Sequence, residues 1–200
     1  MAEKFLDSHR RHSICTTEGA ELDFLNPDPK IITLNSIAEG LSKAARYSGQ
    51  TPRVFYSVAE HSVLCSYRVS EHCALQALMH DAAEAYTGDF ANPLKRLIHD
   101  QTDVLKVIDD RITRAIFQKF GIKPSSDTDA ICEEVHEADT YVFFQERNQL
   151  MPAALWWDNY GGGDPNYPEI RCYEWRMAKN IFIKRFEELF YGTQVSKTRG

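Results

Sequence analysis

Six consecutive residues, Met79-His80-Asp81-Ala82-Ala83-Glu84, bring one imidazole and two carboxylates together. On an α-helix each residue advances about 100°. Leu75, Leu78, Ala82 and Ala85 then make an apolar stripe, and His80, Asp81 and Glu84 share a separate arc. Groups able to bind a cation or move a proton would project from one face, with Ala77 and Ala83 leaving room beside them. A solvated polar face would produce the same pattern, so this segment decides nothing by itself.

Two further residues weigh against the bland reading. His61 falls between Val58, Leu64 and Cys65 at helical spacing and is expected to point inward. A lone inward histidine is more often a hydrogen-bonded core residue than a ligand. Its place near a helix N-terminus, however, disfavours imidazolium and favours the neutral ring that metal binding requires. Asp139 lies at the edge of the stripe Ile131, Val135, Ala138 and Val142. A carboxylate there is costly unless a cation or hydrogen bonds receive it. An ion pair with an arginine would serve equally, and His136 is a rival ligand further from the stripe.

His61, His80, Asp81 and Asp139 together form a mixed nitrogen and oxygen donor set. Such a set suits Zn²⁺, Mn²⁺, Fe²⁺, Co²⁺ or Ni²⁺ better than Mg²⁺ or Ca²⁺, which prefer oxygen shells. A divalent transition metal held there could still admit a water and a phosphate oxygen.

Helices must carry these residues. Leu34, Ile37, Ala38, Leu41, Ala44 and Ala45 follow helical periodicity, ended by Ser48-Gly49-Gln50-Thr51-Pro52. Ser57-Val58-Ala59-Glu60 reads as a capping box opening a helix to about Arg68. The spacing predicts a third helix from Glu71 to Tyr86, stopped by Gly88, and another opened by Pro93. Further helices are expected over about 126–149 and 173–190. A short hairpin is expected where Ser13-Ile14-Cys15-Thr16 turns at Gly19 and returns through Leu22-Asp23-Phe24. Residues 151–171, with Trp156, Trp157 and Gly161-Gly162-Gly163, read as a long loop. The fold class is therefore all-α, with one domain over the 200 residues.

Bulk properties narrow the function classes. A formal charge of −6 without a dense Lys/Arg block disfavours long nucleic acid as a partner, while leaving room for a phosphate-bearing small molecule. No apolar run approaches the roughly 20 residues of a membrane helix. Five cysteines without a C-x-x-C pair argue against a disulfide framework, and a reducing cytoplasmic setting is expected.

The order His61…His80-Asp81…Asp139 on successive helices resembles the HD-domain metal phosphohydrolases. Tyr56-Ser57-Val58-Ala59-Glu60-His61-Ser62, and His80 through Asp89 followed by Pro93-Leu94-Lys95, look like a small single-domain branch. That branch includes bacterial 5′-deoxynucleotidases and phage dATP triphosphohydrolases. The likeness covers about residues 30–150 and implies an HD-domain helical bundle.

It also implies roles. Glu84 matches the acid/base carboxylate, and Asp89 the second carboxylate that activates or orients water. Arg46-Tyr47 stands where an arginine–aromatic pair holds phosphate and nucleoside, with Tyr47 in place of the commoner tryptophan. Lys95 resembles a basic contact to the phosphate chain, and the 151–171 loop has no counterpart. The expected activity is that of a dNTP triphosphohydrolase favouring dATP, in a bacterial or phage-infected cytosol. A 5′-deoxynucleotidase is the near alternative, and a non-catalytic nucleotide-binding module the distant one. The apolar load of the helices, and the assembly of relatives, imply a homo-oligomer.

Overall fold

Thr33 opens the helical part of the chain: its Oγ1 accepts from the Ser36 N–H at 3.0 Å and caps α1, Leu34–Lys43. The computed structural model describes residues 12–52, 54–153 and 163–197. Before α1 stands the expected hairpin. β1 (Ser13–Cys15) pairs antiparallel with β2 (Glu21–Asp23), Ile14 opposite Leu22. Leu22 is fully buried, so the hairpin is stitched to the core by one side chain.

α1 ends earlier than its periodicity suggests. Ala44 and Ala45 leave the helix to pair with the strand-like approach to the next one. The Val58 N–H donates to the Ala44 carbonyl at 3.0 Å and the Arg46 N–H to the Tyr56 carbonyl at 2.9 Å. A 3₁₀ turn, Arg46–Gly49, follows.

α2 (Val58–Ser66) is the central helix. Eight of its nine residues are buried, because it lies between α8 (Trp175–Lys197) on one side and α7 (Glu133–Leu150) on the other. α3 (Glu71–Met79) packs on the same two partners. Ala178, Phe182, Phe186 and Leu189 of α8 supply its buried stripe against α1, α2 and α3. α5 (Asn92–His99), with Pro93 in its first turn, leans on α6 (Val104–Phe120). α6 reaches the core through Ile112, Ala115, Ile116 and Phe117. The molecule is thus mostly helical with one small antiparallel sheet. No helix among the described residues is long and apolar enough to cross a membrane.

Two further helix expectations need correction, and α8 runs on to Lys197, past the expected end near residue 190. The third helix does not run unbroken from Glu71 to Tyr86. It ends at Met79, residues 80–83 form turns, and α4 covers only Glu84–Thr87. The bonds from the Ala82 N–H to the Met79 carbonyl and from the Glu84 N–H to the Asp81 carbonyl span three residues, so the chain is wound tighter there. The seventh helix starts at Glu133, not near Ser126. Ser126, Asp129 and their neighbours use side-chain and turn hydrogen bonds instead.

Gly40 explains how α4 reaches the core. A Cβ there would sit 2.5–2.9 Å from the carbonyl oxygen, Cβ and Cα of Ala85, so only glycine lets α1 and α4 meet. Within the 151–171 loop, residues 154–162 lie outside the described residues. Past them, the Asp164 and Ile170 N–H groups donate to Gln145 and Gln149 of α7.

Candidate metal centre

α2, the tight turn after α3, and α7 each deliver a donor to one point. His61 Nε2 lies 3.1 Å from Asp139 Oδ1 and 3.6 Å from Asp81 Oδ2, and His80 Nε2 lies 3.2 Å from Asp81 Oδ2. Donor atoms on an ion with bonds of about 2.1 Å sit roughly 3.0–3.4 Å apart, so the spacing fits a shared cation. His80 Nδ1 donates to the Ala77 carbonyl at 2.7 Å. That bond orients the ring so that the buried Nε2 faces Asp81 and the other donors. All four expected ligands are therefore brought together. His136 is not: it is exposed and pairs with Asp129 at 3.1 Å.

The electrostatics demand positive charge. Burial pushes the Asp139 carboxyl up, but its hydrogen bond to His61 and the charge of His80 hold it at about 2. Asp81 is likewise driven below the usual carboxylate range, against burial, chiefly by His80, His61 and Arg46. Burial lowers His80, yet Asp81 raises it to about 9. His61 departs from the helix-dipole expectation of a neutral ring. Burial and Arg46 push it down, but Cys65, Glu146 and Asp139 outweigh them and raise it. A site that draws protons onto buried imidazoles is one a divalent cation can occupy in their place.

Two residues at this centre escaped the sequence reading. Cys65, one turn after His61, puts Sγ 3.5 Å from His61 Nε2, and His61, Cys65, His80 and Asp139 offer donors within 4.8 Å of one another. Glu146 is completely buried, two turns beyond Asp139 on the same face of α7. Its carboxylate accepts from His61 Nδ1 at 2.5 Å, Tyr56 OH at 2.7 Å, Arg46 Nη2 at 3.0 Å and Tyr47 OH at 3.2 Å. Glu146 therefore fixes the His61 ring with Nε2 toward the other ligands. The i, i+7 spacing from Asp139 was the available signal.

The same carboxylate ties down Arg46 and Tyr47. Tyr47 and Ser48 adopt left-handed backbone angles (φ 56° and 52°), a cost for residues with a Cβ. The twist stacks the Tyr47 ring on Phe143, centroids 6.1 Å apart, and leaves Arg46 Nη1 3.7 Å from Asp81 Oδ2. Arg46 thus bridges the ligand cluster and Glu146.

Glu84 sits one turn past the break. Burial, then Asp81 and Asp89, raise its carboxyl to about 8 despite the opposing charge of Lys95. Lys95 Nζ donates to Glu84 Oε1 at 2.5 Å, and Oε2 is buried without a partner. Gly88, at φ 83° and ψ 159°, takes a conformation open to glycine and turns the chain out of α4. Asp89 follows, half-buried and within the fields of Arg46 and Lys95. Lys95 also lines a cleft of about 470 Å³ between α5, α6 and residues 128–136, with Arg96 and Lys106 on its walls.

The capping box is realised by half. Ser57 Oγ accepts from the Glu60 N–H at 3.2 Å. The Glu60 carboxylate does not return to Ser57; it accepts from the N–H groups of Arg171, Cys172 and Tyr173 at 2.8–3.1 Å. The loop end before α8 is thereby fastened beside His61.

A mostly helical chain with a buried histidine–carboxylate centre is the class that fold and site define. No known protein-family profile matches it. The chain is 41% identical over 128 residues to the uncharacterized protein YfdR of Escherichia coli K12, covering 64% of this chain and 65% of that protein. It is 37% identical over 140 residues to the uncharacterized protein RCAP_rcc00048 of Rhodobacter capsulatus, covering 66% and 69%. The chain belongs to the family of this Rhodobacter protein.

Proposed function

We propose that this protein is an HD-type metal-dependent phosphohydrolase acting on deoxynucleotides, and that His61, His80, Asp81 and Asp139 hold its divalent transition metal. The observation that carries the reading is the convergence of these donors, with Nε2 of His61 and of His80 both facing Asp81 Oδ2. A divalent ion bound there would acidify a water and polarise a phosphoryl oxygen.

The surrounding residues suit the remaining tasks. Glu84, protonated near neutrality, has its unpartnered Oε2 available to hand a proton to the leaving oxygen. In this reading Asp89 is the second carboxylate that orients the attacking water. Arg46 can turn from Asp81 toward a phosphate without losing Glu146, and Tyr47 beside it offers a ring to the nucleoside. The cleft beyond Lys95 gives space for two further phosphates, its Lys95, Arg96 and Lys106 facing Asp109, Asp110 and Asp129 on the same walls. That supports the triphosphohydrolase reading, with dATP as the favoured substrate and deoxynucleoside plus triphosphate as products. One observation favours a 5′-deoxynucleotidase instead: Lys95 is engaged with Glu84 and not free for a phosphate chain.

Product analysis separates them. The protein is incubated with each dNTP and dNMP plus Mn²⁺, Co²⁺ or Zn²⁺, and products are resolved by ion exchange. Triphosphate from dATP is the expected result; phosphate from monophosphates alone would assign the nucleotidase, and no turnover of any nucleotide would refute both. Exposed Leu94, Leu97, Val104 and Val107 on α5 and α6 support a homo-oligomer, which a monomeric mass by light scattering would contradict.

A further inference from the structure

We propose that His72, Cys73, Cys132 and Glu134 form a second metal site that takes a borderline or soft divalent ion such as Zn²⁺, separate from the centre around His61. Two pairs of donors meet where the N-terminal ends of α3 and α7 come together. His72 and Cys73 are consecutive on α3; Cys132 caps α7, and Glu134 is in its first turn. Cys73 Sγ and Cys132 Sγ lie 3.5 Å apart. Two thiolates bound at about 2.3 Å to a tetrahedral zinc sit about 3.8 Å from each other, whereas a disulfide needs about 2.05 Å. At 3.5 Å the two thiols are in contact, a few tenths of an ångström from the spacing of two sulfurs on one ion.

His72, Cys73 and Glu134 each offer an atom within 4.8 Å of the others, and His72 Nε2 lies 3.9 Å from Glu134 Oε2. Cys132 touches this group through Cys73 alone and would swing toward the ion to complete the set. Glu134 is held in place by Ser70, whose N–H and Oγ donate to its two oxygens at 2.5 and 2.7 Å. Gln76 steadies the facing segment: its side chain accepts from the Cys132 N–H at 2.8 Å and donates to the Lys123 carbonyl at 3.0 Å. Both cysteines are half-buried and His72 is exposed, so an ion has a path in. Two sulfurs, an imidazole and a carboxylate make a donor set that selects Zn²⁺ or Co²⁺ over Mg²⁺. Burial, with the hydrogen bond the thiol donates to Glu134 and its contact with Cys132, keeps the Cys73 thiol protonated, its pKa pushed up to about 12. Metal binding must therefore expel the Cys73 thiol proton.

The test uses the full chain, reduced and stripped with chelator, titrated with Co²⁺ alone. The wild-type chain is expected to bind two equivalents and to show a sulfur-to-cobalt charge-transfer band. Cys73→Ser with Cys132→Ser should remove one equivalent and this band. Asp81→Ala should remove the other equivalent and keep the band, so failure at one centre is told apart from failure at the other. Cys65→Ser guards against a thiolate contribution from the first centre and should leave the band in place. Should the paired serine variant fold poorly, Zn²⁺ protection of Cys73 and Cys132 from alkylation is measured on the wild-type chain. A wild-type chain without the sulfur-to-cobalt band, a band unchanged by the paired substitution, or two thiols unprotected by Zn²⁺ would each overturn the proposal.

Discussion

Replacing Glu146 with glutamine tests the buried hub beneath the metal centre. The carboxylate is fully buried and accepts four hydrogen bonds, from His61, Tyr56, Arg46 and Tyr47. Glutamine keeps the shape, removes the charge and turns one acceptor into a donor. If the amide oxygen stays toward His61 and Tyr56, the NH₂ faces Arg46 and Tyr47, which are donors themselves. Leaving a buried guanidinium without its carboxylate costs about 3–5 kcal/mol. Asp81, 3.7 Å from Arg46, offsets part of that, so about 3 kcal/mol of stability should be lost. The His61 ring also loses the anion that orients it. Partners of this kind contribute about 10–100-fold to metal affinity, or about 1.4–2.7 kcal/mol. Urea unfolding of the metal-free variant reads the first loss, and Zn²⁺ competition against a chromophoric chelator reads the second. A variant with reduced stability but wild-type Zn²⁺ affinity would refute the orienting role and leave Glu146 a structural residue only.

Gly40→Ala should destabilise the fold by about 1–3 kcal/mol, because the new methyl meets the Ala85 backbone; it should also lower turnover by shifting Glu84. Thermal unfolding and initial rates check both effects. Glu60→Ala strips three backbone N–H groups of their acceptor and should cost about 3 kcal/mol, with faster proteolysis near residue 171; an unchanged urea midpoint would contradict it. Asp109 carries a carboxyl raised by burial against Lys95 and a bond from Thr87. With its folded pKa above the unfolded value of 3.8, its stabilising contribution is complete below that pH and lost as pH rises through the folded pKa. Asp109→Asn should therefore raise the urea midpoint at pH 7, with the gain vanishing at acid pH.

The ligand set was legible because each member broke a local pattern: an inward histidine on α2, a carboxylate at the edge of an apolar stripe on α7. The hairpin and most helix positions followed from turn residues and periodicity. Periodicity could not reveal the break at His80, since Ala82 and Ala83 fit a helix or a tight turn equally well. Just past the turn α4 meets α1 through Gly40, a contact between distant parts of the chain that periodicity does not register. Glu146 was missed for a related reason. A glutamate among Gln145, Arg147 and Asn148 reads as an exposed polar run, and only the packing of α7 on α2 buries it. Cys65 looked like a small core residue until its sulfur fell beside His61. The start of α7 was misplaced because the Ser126-Asp129 region offers side-chain bonds that compete with the helix.

Metal-dependent turnover of dATP by the wild-type chain and by Asp81→Ala, with bound metal measured on the same samples, tests the central claim most directly. Asp81 Oδ2 lies within 3.6 Å of both histidine Nε2 atoms, so its loss should remove metal and hydrolysis together. Triphosphate release by the metal-loaded wild type, and neither metal nor product in the variant, is the predicted result. Hydrolysis at the wild-type rate by the metal-free variant would contradict the account.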